Sequence, residues 1–147
     1  MRVYLDNCCF NRPFDDQTQF RISLETQSKL FIQTLIVSDK IELAWSYILS
    51  FENSKNPYEN KRLSVLFFSE YAKVNVIENE SVLKNAYKIA ESGIKNADSL
   101  HIACAIEASA DYFITTDSRV LRYKTNNIKI VNPVEFILAW EMEAQND

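Results

Sequence analysis

Four carboxylates stand where a sheet protein keeps its chemistry. Asp6 follows the apolar run "RVYL", Glu52 lies in "SYILSFEN" soon after "IELAW", Asp98 heads "ADSLHIACAIEA", and Asp117 closes "YFITTD". Acidic side chains gathered in one place repel one another, and a fold that keeps several together usually does so for a hard divalent cation. Oxygen donors completed by water suit Mg2+ or Mn2+ better than a softer metal. On such ligands a cation activates water and offsets charge that develops on a phosphate. Each acid also has an ordinary structural reading. Asp6 can shape a turn, Glu52 can pair with Lys55 three residues on, Asp98 complements the positive end of its helix, and Asp117 can cap the short segment "SRVLRYK".

The elements that must position these acids alternate between strand and helix patterns. Strands are expected at residues 2–5, 41–45, 73–78, 112–116 and 128–131. A turn region, "NRPFDD", leads into a long amphipathic helix over residues 18–37, whose inner stripe is read as Phe20, Leu24, Phe31 and Leu35. Ser46 is placed to cap "YILSFENSKN", and Pro57 suits the first turn of "YENKRLSVLFFSEYA". The helix over residues 80–92 is expected to stop at Gly93 in a left-handed conformation, and Asn96 to cap the next helix, which extends to about residue 110. A last helix begins at Pro133. Strands separated by helices imply right-handed crossovers, hence a three-layer α/β/α sandwich with a mostly parallel sheet of four to five strands. In such sheets the ligand site lies beyond the carboxyl ends of the strands, near the point where strand order reverses. Three of the four acids project from strand exits or helix starts on that edge, with Glu52 within two turns of it.

Bulk properties exclude several other classes. The 147 residues, 47% hydrophobic and 24% charged, fit one globular domain over residues 1–147 rather than a disordered or fibrous chain. No apolar run approaches the roughly 20 residues that cross a bilayer, and Asp6 interrupts the place of a signal peptide, so a cytoplasmic protein with no membrane association is expected. Cys8, Cys9 and Cys104 are an odd number and are read as reduced thiols. With His101 as the only histidine and no CxxC pair, a zinc site is not expected. A single glycine, Gly93, cannot build a Walker loop or a dinucleotide fingerprint.

"YLDNCCFNRPF", "SYILSFEN", "IKNADSLHIACAIEASADYFITTD" and "IVNPVEFI" together resemble the PIN domain, the nuclease fold of VapC-type toxins and related ribonucleases. The resemblance spans essentially the whole chain in the right order. Its most specific part is the D-x-x-H-x-A helix followed by an apolar strand ending T-x-D, here Asp98, His101, Ala103, Thr115 and Asp117. It implies that Asp6, Glu52, Asp98 and Asp117 hold Mg2+ or Mn2+, with Thr115 as the hydroxyl residue beside them. The family commonly has serine, threonine or asparagine two residues beyond the first aspartate, where this chain has Cys8. Glu42 and Glu59 are the competing acids for the place given to Glu52. His101 is read as a hydrogen-bonded core residue rather than a base.

The resemblance further implies a metal-dependent endoribonuclease, the toxin of a toxin–antitoxin pair, with RNA as substrate, an antitoxin protein as partner and a homodimer as assembly. The net charge of −4 is unusual for a nucleic-acid enzyme, but four acidic ligands explain much of it. Arg119, Lys95 and Lys55 are the expected substrate rim, with Lys61, Arg62 and Arg122 near the same segments. Two alternatives stand beside this reading: a catalytically silent PIN-like binding module, and a solitary RNA-processing nuclease without an antitoxin. Phosphotransfer domains fit less well, because Asp6-Asn7-Cys8 lacks the second acid of a D-x-D motif.

Overall fold

A computed structural model describes residues 1–11 and 15–146. Its centre is a five-stranded, wholly parallel sheet in the order β3-β2-β1-β4-β5. The strands are β1 (Arg2–Leu5), β2 (Glu42–Ser46), β3 (Ala72–Val76), β4 (Tyr112–Ile114) and β5 (Lys129–Val131). Among the described residues eight helices link and cover them: α1 (Asn7–Asn11), α2 (Phe20–Val37), α3 (Tyr47–Ser54), α4 (Glu59–Ser69), α5 (Glu80–Glu91), α6 (Asn96–Glu107), α7 (Ser118–Leu121) and α8 (Pro133–Gln145). From β1 the chain builds outward to β2 and β3, then returns to place β4 on the other side of β1. Strand order therefore reverses between β1 and β4, which is where Asp6 and Asp117 leave the sheet.

Side-chain alternation divides the layers. Tyr4 and Phe113 are register partners whose rings stack 5.4 Å apart, and the Tyr4 hydroxyl meets His101 of α6. The adjacent residue Tyr112 points the other way and packs against Phe136 of α8 at 5.3 Å. On β2, Ser46 joins the α6 face through Tyr4, whereas Trp45 meets Phe10 of α1 at 5.4 Å on the opposite face. Val3, Leu5, Leu43, Phe113 and Ile114 are wholly buried, as parallel strands covered on both faces require.

Ser46 caps α3 as its place in the sequence predicts, and two asparagines cap α5 and α8 in the same way. Ser46, Asn79 and Asn132 accept from the N–H groups of Leu49, Val82 and Glu135. Gly93 follows α5 at φ +95°, the left-handed conformation that stops a helix at glycine.

Five expectations are corrected. The outer face of α2, not its core stripe, carries Phe20, Leu24 and Phe31: Phe20 is 83% exposed, and Ile32, Leu35 and Ile36 face the core beside Thr26, Ser28, Lys29 and Gln33. Phe31 instead contacts Trp140 of α8. Asn96 is the first residue of α6 and Lys95 precedes it without a side-chain cap, and α6 ends at Glu107 rather than near 110. Pro57 lies ahead of α4, whose N-cap is Tyr58. The first helix, α1, forms directly after Asp6, ahead of the expected turn region, of which residues 12–14 lie outside the described residues.

Candidate active site

The end of β1 delivers Asp6 to the switch point. Its backbone N–H donates to the Ile114 carbonyl at 2.9 Å, extending the β1–β4 ladder one step, and the residue is only 6% exposed. A buried carboxylate must be satisfied or it destabilises the fold. Asp6 Oδ1 accepts from the Asn7 N–H at 2.8 Å, and Oδ2 accepts from the Thr115 hydroxyl at 2.8 Å and the Cys8 thiol at 3.4 Å. Cys8 thus occupies a place in the network where a hydroxyl would bond more strongly.

Thr115 joins two acids. Its own N–H donates to the Val131 carbonyl at 3.0 Å, which holds the residue at the exit of β4. Its hydroxyl donates to Asp6 and accepts from the Asp117 N–H at 3.1 Å. Asp117 is indeed the cap of α7, with Oδ1 accepting from the Arg119 N–H at 2.8 Å. That bond engages one of its two oxygens.

Glu52 reaches the site from α3. Its Oε1 lies 3.0 Å from Nε2 of the buried His101, at ion-pair distance but without hydrogen-bond alignment. His101 Nδ1 meets the Tyr4 hydroxyl at 2.7 Å, and that hydroxyl meets Ser46 Oγ at 2.6 Å. A buried chain of Ser46, Tyr4 and His101 therefore ends on Glu52. The expected alternative partner, Lys55, instead places its ammonium 4.2 Å from the centre of the Phe51 ring. Of the competing acids, Glu42 pairs with Arg2 at 2.9 Å at the opposite end of the sheet, and Glu59 opens α4.

Asp98 lies in the first turn of α6, half-buried. Its carboxyl is raised above the ordinary range first by burial, then by the negative charges of Asp6 and Asp117, with a smaller push from Glu52 and partial opposition from His101. For His101, burial pulls the pKa down, but Glu52 beside it and the charges of Asp6 and Asp98 reverse this, and the net shift is upward. The other three acids thus all act on Asp98. Among the described residues, however, no three His, Cys, Asp or Glu side chains are drawn into a ready-made metal cage. The donor chemistry still fits a hard cation, because carboxylate oxygens suit Mg2+ or Mn2+ and such a charge would relieve the repulsion that Asp98 feels.

Two clefts flank the acids. One, of about 640 Å3, holds Asp98 together with Lys95, Arg119, Arg122 and Lys124. The other, of about 320 Å3, holds Glu52 with Asn7, Lys55 and Lys61. The expected rim is therefore divided, Lys95 and Arg119 on one side and Lys55 on the other. Arg62 is turned inward, donating to the Asn56 carbonyl at 3.1 Å.

Sequence reasoning missed two supports of this edge. Arg21 of α2 donates to the Thr116 carbonyl at 3.1 Å and pairs with buried Glu25 at 3.2 Å, tying the helix to the loop that carries Asp117. No local pattern announces that contact across 95 residues. The Tyr4 hydroxyl carried a weak signal, a polar tip within a short strand otherwise expected to be buried.

A doubly wound parallel sheet whose switch-point edge carries Asp98 within reach of the charges of Asp6, Asp117 and Glu52 defines a class of α/β protein with a polar site at that edge. The chain belongs to the PIN domain family, whose model matches residues 3–126. PIN domains are generally nucleases. No curated protein matches the sequence. Among solved structures, the fold is similar to VapBC-1 from nontypeable Haemophilus influenzae, at 16% identity and TM-score 0.58 over 91% of this chain and 99% of that one. It is also similar to VapBC2 from Rickettsia felis bound to a promoter DNA fragment, at 16% identity and TM-score 0.56 over 90% and 98%. DNA-bound VapBC from Salmonella typhimurium gives 15% identity and TM-score 0.53 over 90% and 98%. At these identities the likeness is one of fold. No helix of the described residues is long and apolar enough to cross a membrane.

Proposed function

We propose that this chain is a metal-dependent endoribonuclease and the toxin half of a cytoplasmic toxin–antitoxin pair, paired with a cognate antitoxin and forming a homodimer. The observation that carries the nuclease reading is the coupling of Asp98 to Asp6, Asp117 and Glu52 at the switch point of a PIN fold. The partner reading rests on the similarity of the fold to VapBC structures.

Asp6, Asp98, Asp117 and Glu52 are the residues that would hold Mg2+ or Mn2+. Such an ion supplies activation of water and compensation for charge on the scissile phosphate. The chain's own contribution is to fix the oxygens in advance. Thr115 and Asn7 lock the Asp6 carboxylate, the α7 cap orients Asp117, and His101 lies 3.0 Å from one oxygen of Glu52. Asp98 completes the set from the start of α6.

The test is cleavage of a mixed-sequence RNA by purified protein with Mg2+ or Mn2+, with EDTA, and with the Asp98→Asn variant. Cleavage that requires the metal and is lost in the variant supports the proposal. One observation favours a silent binding module, namely that no three ligands are already caged among the described residues. That reading predicts no cleavage under any of these conditions.

A further inference from the structure

Asp98 shares its cleft with four cations drawn from two separate stretches of chain: Lys95 before α6, and Arg119, Arg122 and Lys124 in and after α7. All four are exposed, and among the described residues none of them lies within ion-pair distance of a carboxylate. Half-buried Tyr123 lies between Arg122 and Lys124 on the same wall. This is an unusual concentration in a chain of net charge −4. Like charges in one cleft repel, so leaving them unpaired favours an anionic occupant over an empty cleft.

The opposite flank differs. There Lys55 and Lys61, 4.2 and 4.5 Å from the centres of the Phe51 and Tyr58 rings, share the lining with two carboxylates, Asp15 and Glu52, so the cations of that cleft are matched by acids. The electrostatic pull on a polyanion crossing the acids is therefore uneven.

We propose that the cleft of Lys95, Arg119, Arg122 and Lys124 is a backbone channel, which grips the phosphates of an RNA strand on one side of the scissile bond while the Glu52 side contributes little charge. This inference rests on the nuclease reading above and adds the path of the substrate to it. An RNA strand is favoured over an acidic peptide because Asp98, a member of the acidic set, forms part of the cleft wall, so whatever fills the channel runs directly into the acids.

The experiment compares equal losses of charge at two places. In the Asp98→Asn background, fluorescence anisotropy measures binding of a labelled mixed-sequence 12-nucleotide RNA across a salt titration. Single-stranded binding loses about 0.7 in the slope of log K against log salt for each phosphate contact removed. Arg122→Gln with Lys124→Gln should make the slope shallower by about 1.4, two contacts at about 0.7 each, whereas Lys84→Gln with Lys88→Gln should leave it unchanged. Lys84 and Lys88 line a different groove that holds none of the four acids. Equal slopes for the two double variants, an unchanged slope for the first, or no RNA binding before either substitution would overturn the channel. So would unaltered RNA binding with selective loss of binding to an acidic peptide. Cleavage by the parent with Asp98 intact is scored separately: cleavage with a failed channel leaves the nuclease reading standing, and a slope change without any cleavage leaves the channel standing as an RNA site.

Discussion

Lys29 of α2 is 4% exposed, with its ammonium 5.7 Å from the centres of both the Phe10 and Phe68 rings. Burial lowers its pKa from 10.5 to about 8, with a smaller opposing pull from Cys9. At about 1.4 kcal/mol for each pH unit, that difference corresponds to about 3 kcal/mol of destabilisation while the folded protein keeps the lysine charged. Two aromatic faces return about 0.5 to 2 kcal/mol of cation–π attraction. Lys29→Met preserves the unbranched stem and removes the charge, so the variant should be about 1 to 3 kcal/mol more stable at pH 7. The pH dependence follows from the direction of the shift. Between about 8 and 10.5 the unfolded chain binds more protons than the folded one, so the parent gains stability as pH rises through that window. The advantage of the variant should therefore be full below pH 8 and shrink towards pH 10. Urea denaturation of both proteins at pH 7 and pH 9.5 measures it. A variant no more stable than the parent at pH 7, or an advantage independent of pH, would refute the reasoning.

Three further outcomes follow from the site. Asp98 has a raised pKa, so forcing it to ionise destabilises the fold as pH climbs past the ordinary carboxylate range; in EDTA, Asp98→Asn should melt higher than the parent at pH 7 and match it near pH 4. His101 also has a raised pKa, so the stability it adds is full below about 6.5 and is lost as pH rises through its folded value. His101→Leu should therefore be less stable by about 1 to 3 kcal/mol at pH 6, with a smaller deficit at pH 9, and its kcat should fall because Glu52 loses its anchor. Cys8→Ser replaces a weak donor to Asp6 with a stronger one and should preserve cleavage and the Mg2+ response; loss of either would give the thiol a role of its own.

The sheet was legible because buried parallel strands are short apolar runs and the intervening segments carry ordinary helix stops and caps. Ser46 and Gly93 mark ends that the backbone obeys. The inner face of α2 was not legible, because the helix buries Lys29, Gln33 and Glu25 while exposing Phe20 and Leu30, so apolarity does not report its orientation. Asn96 misled for a related reason, since an asparagine at the first position of a helix looks like one at the cap. Asp6, Asp98 and Asp117 could be grouped from sequence because strand exits and helix starts share one edge of a parallel sheet. Two features arise only when distant segments meet. They are the attachment of Glu52 to His101 and the gathering of Lys95 with Lys124.

In the proposed site Asp98 and the three acids that disturb it, Asp6, Asp117 and Glu52, hold a shared cation. The most direct measurement of this is thermal unfolding of the parent, Asp6→Asn and Asp98→Asn, each in EDTA and in excess Mg2+. At about a hundred times the dissociation constant, Mg2+ should stabilise the parent by about 2.7 kcal/mol if the unfolded chain does not bind it. Both variants should lose that response. If Asp6 and Asp98 were only turn and helix-start residues, asparagine would serve nearly as well, and an Mg2+ response unchanged in both variants would contradict the shared metal site.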